Sequence, residues 1–166
     1  LSVFEHMKQV GEVGGVYAQF MSKAIFMIPT PRLLDQVVQM IDGINMEDRD
    51  TKGDLYEYML GKIASAGTNG QFRTPRHIIK MMVEMAAPGK EEVICDPSAG
   101  SAGFLVAAGE YYREHPEEWF DDKAFRDHFN SDMFHGVELD ETMARIGAMN
   151  LQLHGIENPN LLKNDA

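Results

Sequence analysis

The residues best placed to do chemistry form one eight-residue turn, Asp96-Pro97-Ser98-Ala99-Gly100-Ser101-Ala102-Gly103. It ends the short apolar run Glu92-Val93-Ile94-Cys95-Asp96, which reads as a buried parallel strand terminating in an acid. Gly100 and Gly103 let backbone approach a ligand with no Cβ in the way. The helix expected from Gly103 onward presents unpaired N–H groups at its start. Two further carboxylates end strand-like runs. Glu138 can accept both hydroxyl hydrogens of a ribose, and Asp165 can accept from an adenine amino group. In an open parallel sheet, ligands sit at the carboxyl ends of the strands, so the three acids belong on one rim. Together they suit an adenosine-containing cofactor. A dinucleotide requires G-x-G-x-x-G for its pyrophosphate. Here the glycine spacing is G-x-x-G, position 98 is Ser, and Asp96 opposes a pyrophosphate. Asp96 suits a cationic ligand, the amino group and sulfonium of S-adenosyl-L-methionine. A tight strand-to-helix turn without a ligand is the alternative reading of the turn alone.

The elements that must hold this rim can be read from periodicity. A helix is expected over Gly103 to Tyr112, a strand over Phe134 to Asp140, a helix over Glu141 to His154 and a strand over Leu161 to Lys163. Strand–helix–strand–helix–strand at this spacing implies right-handed crossovers and a parallel sheet, an α/β fold. The acidic, aromatic stretch Glu114 to Met133 reads as a surface insertion with Trp119 and Phe120 tucked under it. Everything ahead of the first strand reads as helix. Residues 1–28 break at Gly14-Gly15. Pro31 to Ile44 is capped by Thr30, with Leu33, Leu34, Val37, Val38 and Ile41 on one face. Asp54 to Ala64 turns Leu55, Tyr58, Met59 and Ile63 inward, and Ser65 to Gly70 is a loop rich in small residues. Thr74-Pro75 opens a helix through Met85 with an apolar stripe of Ile78, Ile79, Met82 and Met85. The twelve methionines read as gap-filling core. The chain divides into a helical segment, 1–69, and a sheet-bearing segment, 70–166.

Composition excludes several classes. At 166 residues and 18.6 kDa the chain is one domain, or one domain with a helical extension. With 44% hydrophobic and 25% charged residues, disordered, collagen-like and coiled-coil readings fall away. No apolar run reaches the roughly 18 residues of a membrane span, and no signal-peptide pattern opens the chain. The start at Leu1 leads us to expect natural sequence upstream. One cysteine, Cys95, excludes a disulfide framework and a cysteine-built zinc site, with a reducing cytoplasmic setting as the default. The six histidines show no metal-motif spacing. There is no P-loop, and Ala99 stands where a nucleophile elbow needs its first glycine. Net charge is −11, distributed as −4 over 1–60, +4 over 61–90 and −11 over 91–166. The basic stretch carries Lys62, Arg73, Arg76, Lys80 and Lys90. An acidic chain repels a polyphosphate backbone, so this one is expected to be a poor nucleic-acid binder by itself.

One more motif, Gly70-Gln71-Phe72-Arg73-Thr74-Pro75-Arg76, lies just ahead of the first strand. Taken with Asp54–Lys62, Asp96–Leu105, Gly136–Asp140 and Asn164-Asp165, in that order and spacing, it resembles the modification (methyltransferase) subunit of type I restriction–modification systems. These are adenine-N6 DNA methyltransferases, and the resemblance spans residues 30 to 166. It implies the first three parallel strands of a Rossmann-like S-adenosylmethionine-dependent methyltransferase sheet. It implies that Gln71, Phe72, Arg73, Thr74, Pro75 and Arg76 close over the methionine end of the cofactor, with Thr74 near its carboxylate. Thr74 is also a candidate helix N-cap, worth roughly 1 kcal/mol. Asp96 matches the acid at the cofactor's amino group, and Ser98, Ala99, Gly100, Ser101 and Gly103 the loop beneath it. Glu138 matches the ribose ligand, Leu139 the residue packed on the adenine, and Asp165 the acid at the adenine amino group. Ser101-Ala102-Gly103 stands where many relatives have Gly-Gly.

The family's catalytic motif, Asn-Pro-Pro-aromatic, receives an adenine flipped from the duplex and lies downstream of the third strand. Asn158-Pro159-Asn160 precedes that strand and reads as a turn. No catalytic residue and no metal ligand is therefore expected within these residues, and the chain is expected to be a piece of a larger protein. The implied reaction passes a methyl group from sulfonium to adenine N6 by direct displacement, with the protein supplying position. The implied partners are DNA through the full complex, a DNA-specificity subunit and a restriction nuclease–translocase subunit, with no membrane. Two rival readings are a nicotinamide-dependent oxidoreductase domain and a non-catalytic assembly module whose helices before Gly70 dock a partner subunit.

Overall fold

A computed structural model describes residues 2–8, 16–44, 49–65 and 73–166. Three parallel strands, β1 (Ile94–Asp96), β2 (Phe134–Glu138) and β3 (Asn160–Lys163), lie in the order β1-β2-β3. The register pairs Ile94 with Phe134 and Asp96 with Gly136, then Gly136 with Leu161 and Glu138 with Lys163. Each crossover carries helix, as parallel pairing requires. Between β1 and β2 run α6 (Gly103–Arg113), α7 (Pro116–Trp119) and α8 (Lys123–Ser131); between β2 and β3 runs α9 (Glu141–Leu153). The expected α/β fold and three-stranded parallel sheet are present. β1 is an edge of this sheet, with Val93 and Cys95 exposed beside an apolar groove of about 450 Å3 that Met82 and Phe104 also line.

The first two strands are shorter than their sequence signals, and β3 begins one residue early, at Asn160. β1 starts at Ile94, two residues late, and β2 stops at Glu138. Asp140 belongs to the next helix: its Oδ1 accepts from Met143 N at 2.8 Å and caps α9. The stretch 114–133 is no simple surface insertion. It folds into α7 and α8, and Phe125 and Phe129, one helical turn apart, bury against Tyr112 and Phe134. Ring centroids there lie 5.1–6.2 Å apart, within the range of favourable aromatic packing. Burial beside Glu92 raises the Tyr112 phenol well above its ordinary range, and its hydroxyl donates to Gly89 O at 2.9 Å.

Ahead of the sheet lie α1 (Ser2–Met7), α2 (Val16–Met21), α3 (Pro31–Asp42), α4 (Arg49–Ser65) and α5 (Arg76–Ala86). The expected break at Gly14-Gly15, the side chain of Ile63 and residues 66–70 lie outside the described residues. Thr30 caps α3 by accepting from Leu33 N, as its sequence position requires. The apolar face of α3 is nevertheless uncovered: Leu33, Leu34, Val38 and Ile41 are exposed, and no residue of the helix is buried. α5 packs on α6 through Ile79 and Val83, while Met82 and Met85 of the expected stripe are exposed.

α2 and α4 pack on α9. The face that α4 turns inward leaves out Tyr58 and Met59, which are exposed, while Leu55 is half-buried as expected. That face is built on Gly53, Tyr56, Glu57 and Leu60, spaced at one helical turn. A Cβ at position 53 would run into the His154 ring. The Tyr56 hydroxyl donates to Ile146 O at 3.2 Å, and burial raises its pKa well above the ordinary phenol range. No helix among the described residues is long and apolar enough to cross a membrane.

Two positions test this packing. Gly136 sits in the middle strand, where an added Cβ would lie 2.8 Å from Leu161 Cδ1, 3.1 Å from Ala99 Cβ and 3.2 Å from Leu105 Cδ1. Gly136→Ala is expected to lower unfolding free energy by about 1–3 kcal/mol, read from the urea midpoint. Glu141, at the start of α9, is held by Lys163 at 2.8 Å and Lys23 at 3.1 Å, which bring its pKa down to about 2. A carboxyl depressed on folding contributes stability that is present above its unfolded value and fades as pH falls through its folded one. The melting-temperature gap between the wild type and Glu141→Gln is thus expected to be small but present at neutral pH and to close between pH 4.5 and about 2.

Candidate functional site

β1 ends at Asp96, and the chain must turn at once into α6. Asp96 Oδ1 accepts from Ser98 N at 3.0 Å, starting the turn. Gly100 then takes φ 54° and Ala102 φ 62°. The first is an ordinary glycine conformation; the second costs an L-residue roughly 1–2 kcal/mol. Ala102 N bonds Ala99 O at 2.6 Å, and both alanines are buried.

The turn is gripped from β2. Ala99 N donates to Val137 O at 2.9 Å, and Gly100 N donates to Glu138 Oε2 at 2.8 Å. Glu138 Oε1 accepts from Asp140 N at 2.9 Å. One half-buried carboxylate therefore joins the turn after β1 to the turn after β2, each oxygen retaining further acceptor capacity. α9 supports the turn from below. Gly147 lies so close that a Cβ there would meet Gly100 O at 3.0 Å, and the fully buried Asn150 donates Nδ2 to Ser101 O at 2.8 Å.

A cavity of about 110 Å3 opens above the turn. Of the sequence-predicted residues, Arg73, Thr74, Asp96, Ser98, Ala99, Gly100, Ser101 and Gly103 line it. Ile79, Phe104 and Met143 also line it and were missed; Met143 was detectable, because it occupies the first turn of a helix that starts at the same rim. Pro75 and Arg76 face an adjoining cavity of about 340 Å3 together with Glu57 and Glu110, and Arg76 pairs with Glu110 at 2.6 Å. Glu138 does not line the smaller cavity but borders it through Gly100. Asp165 is exposed two residues past β3 and lines no described cavity. Gln71 and Phe72 lie outside the described residues. Thr74 is not the helix cap: Pro75 holds that position and has no side-chain capping bond, and Thr74 lines both cavities.

This cavity mixes in its lining an acid, Asp96, a base, Arg73, and three hydroxyl residues, Thr74, Ser98 and Ser101, with the glycines of the turn. Its volume is below the roughly 300–1,000 Å3 of a whole-ligand pocket, so it admits one end of a larger molecule.

Residues 47–166 match the model of the N-6 DNA methylase family. The chain belongs to that family. It is 34% identical over 139 residues to the methylase subunit of the type I restriction enzyme StySPI of Salmonella potsdam, covering 78% of this chain and 26% of that protein. It is 32% identical over 156 residues to the methylase subunit of the type I restriction enzyme EcoEI of Escherichia coli, covering 92% and 31%. Among solved structures, a modification subunit from Vibrio vulnificus YJ016 superposes with a TM-score of 0.76 at 28% identity, covering 97% of this chain and 34% of that one. The chain spans about a quarter to a third of the length of the relatives it matches.

The Glu138 bridge gives a prediction independent of any ligand. Glu138→Ala leaves Gly100 N and Asp140 N without their acceptor. It is expected to cost roughly 1–2 kcal/mol of stability and to speed hydrogen exchange at those two amides above that of the β2–β3 ladder.

Proposed function

We propose that this chain is the cofactor-binding part of an adenine-N6 DNA methyltransferase subunit of a type I restriction–modification system. In this reading residues 70–166 hold S-adenosylmethionine and the helices of 1–69 support them. The observation that carries it is the convergence of Asp96, Arg73, Thr74 and the 98–103 backbone on one small polar cavity at the carboxyl edge of a parallel sheet. The cofactor's amino-acid end fits that cavity: its ammonium toward Asp96, its carboxylate toward Arg73 and Thr74. Gln71, Phe72, Pro75 and Arg76 complete the segment over that end. The ribose then lies along the rim at Glu138, whose free lone pairs accept its hydroxyls, with Leu139 and Asp165 toward the adenine.

The bound cofactor supplies an electrophilic methyl on sulfonium sulfur. This chain's contribution is orientation and charge: Asp96 offsets the cofactor's positive charge, and the Glu138-tied turn fixes the backbone beneath it. The parent protein transfers the methyl to N6 of adenine in DNA, working with a DNA-specificity subunit and a restriction nuclease–translocase subunit. Delegated sequence reading agrees with the chain's acidity. The exposed thiol of Cys95 agrees with a reducing, cytoplasmic setting.

Isothermal titration of the chain with S-adenosylmethionine tests the assignment. Saturable binding is expected, with Asp96→Ala weakening it about tenfold or more, the scale of one charge-assisted contact. Binding by neither protein, or equal binding by both, would remove it. Capture of a specificity subunit by a chain that shows no cofactor affinity would favour the assembly-module reading instead.

A further inference from the structure

Glu57 lies on α4, outside the cavity, yet its two carboxylate oxygens tie to two parts of the cavity's lining, one directly and one through Asn150. Oε2 accepts from the Arg73 guanidinium at 2.7 Å, and Arg73 lines the cavity. Oε1 accepts from Asn150 Nδ2 at 2.9 Å, and the same Nδ2 donates to Ser101 O at 2.8 Å. Ser101 belongs to the strained turn and also lines the cavity. Glu57 and Arg73 keep only 17% and 25% of their side chains exposed, and Asn150 is fully buried. The orientation of Asn150 is forced: both of its near neighbours are acceptors, so the amino group must face them, and its Oδ1 is left buried without a partner. An amide held with one end unsatisfied is held for what its other end does.

We infer that Glu57 is a positioning residue for the cofactor site. It sets Arg73 directly and, through Asn150, the Ser101 carbonyl and with it the Gly100–Ala102 turn. This rests on the S-adenosylmethionine reading of the cavity. It makes a residue of the helical segment part of the binding machinery rather than scaffolding. Chemically, a single half-buried carboxylate balances the guanidinium charge when no ligand is bound. It also fixes the separation between the Arg73 guanidinium and the turn backbone, the dimension that an amino-acid end must match.

The experiment measures the S-adenosylmethionine dissociation constant of the whole chain as wild type, Glu57→Gln and Tyr56→Phe, with thermal unfolding of each. Glu57→Gln is isosteric, loses the charge and can satisfy only one of its two partners as an acceptor. Tyr56→Phe removes a different tie between α4 and α9, the bond to Ile146 O, which involves neither Arg73 nor Asn150. The expected result is about a tenfold weaker dissociation constant for Glu57→Gln and less than about a twofold change for Tyr56→Phe, with both proteins folded. In ligand-free 1H–15N spectra, Glu57→Gln is expected to move the Asn150 side-chain pair and the amides of 100–103. Should Glu57→Gln not fold, Glu57→Asp keeps the charge, falls one methylene short, and is expected to weaken binding in the same direction. An unchanged dissociation constant in a Glu57 variant overturns the inference and leaves the cofactor reading standing. Equal weakening by Tyr56→Phe also overturns it, since general docking of α4 would then account for the effect. A wild-type chain that does not bind at all overturns the cofactor reading, and this inference with it.

Discussion

The turn between β1 and α6 is the constraint around which the rest is arranged. Two residues in three, Gly100 and Ala102, adopt left-handed backbone, and such a turn persists only when its surroundings over-determine it. They do so from three sides. β2 supplies Val137 O and the Glu138 carboxylate, α9 supplies Asn150 and a glycine with no side chain, and the core takes the Ala99 and Ala102 methyls. Each contact is modest. Together they fix the shape of the turn that lines the cavity.

That requirement explains why α9 carries its particular residues. A helix lying directly under a loop cannot present a large side chain where the loop's carbonyl comes closest, hence Gly147. It must offer a donor where Ser101 O points down, hence Asn150. The same helix face receives α4 through Gly53, Tyr56 and Glu57. The helical segment is thus joined to the sheet by a polar network together with an apolar seam, and the network ends at the cavity.

This also marks where the sequence was legible. Strands that end in acids, a G-x-x-G turn and a Thr-Pro helix start are local signals, and Asp96, Gly100 and the Thr30 cap of α3 follow from them. The buried face of α4 was not legible, because it consists of a glycine, a tyrosine, a glutamate and a leucine, while Tyr58 and Met59 mimic a core stripe on the exposed side. Hydrophobic periodicity cannot find an interface built on a carboxylate and a missing side chain. The 114–133 stretch misled for a related reason: Phe125 and Phe129 are embedded among Lys123, Arg126 and Asp127, so local composition concealed a core contact. Thr74 looked like a cap since Thr precedes Pro there; Pro75 takes the capping position instead. The place of Asp165 depends on chain geometry past β3 and cannot be read from its residue type.

Charge along the chain resolves in the same physical terms. The basic stretch 61–90 is not a patch aimed outward. Arg73 meets Glu57, Arg76 meets Glu110, Lys80 meets Glu114, Lys90 meets Asp122, and Lys62 lies over the Tyr58 ring at 5.2 Å. Three of these acids come from the strongly acidic 91–166 half, so a basic segment and an acidic one attract in sequence and neutralise in space, helping seat α5 on α6. Exposed pairs of this kind contribute little each, but their number decides what remains. Among the described residues, Glu117, Glu118 and Asp121 are exposed carboxylates outside these pairs. A surface with those carboxylates repels polyphosphate. The same internal neutralisation leaves Arg73 available to the cavity only as part of its pair with Glu57, so the cation that a carboxylate ligand would meet is one already oriented by the protein.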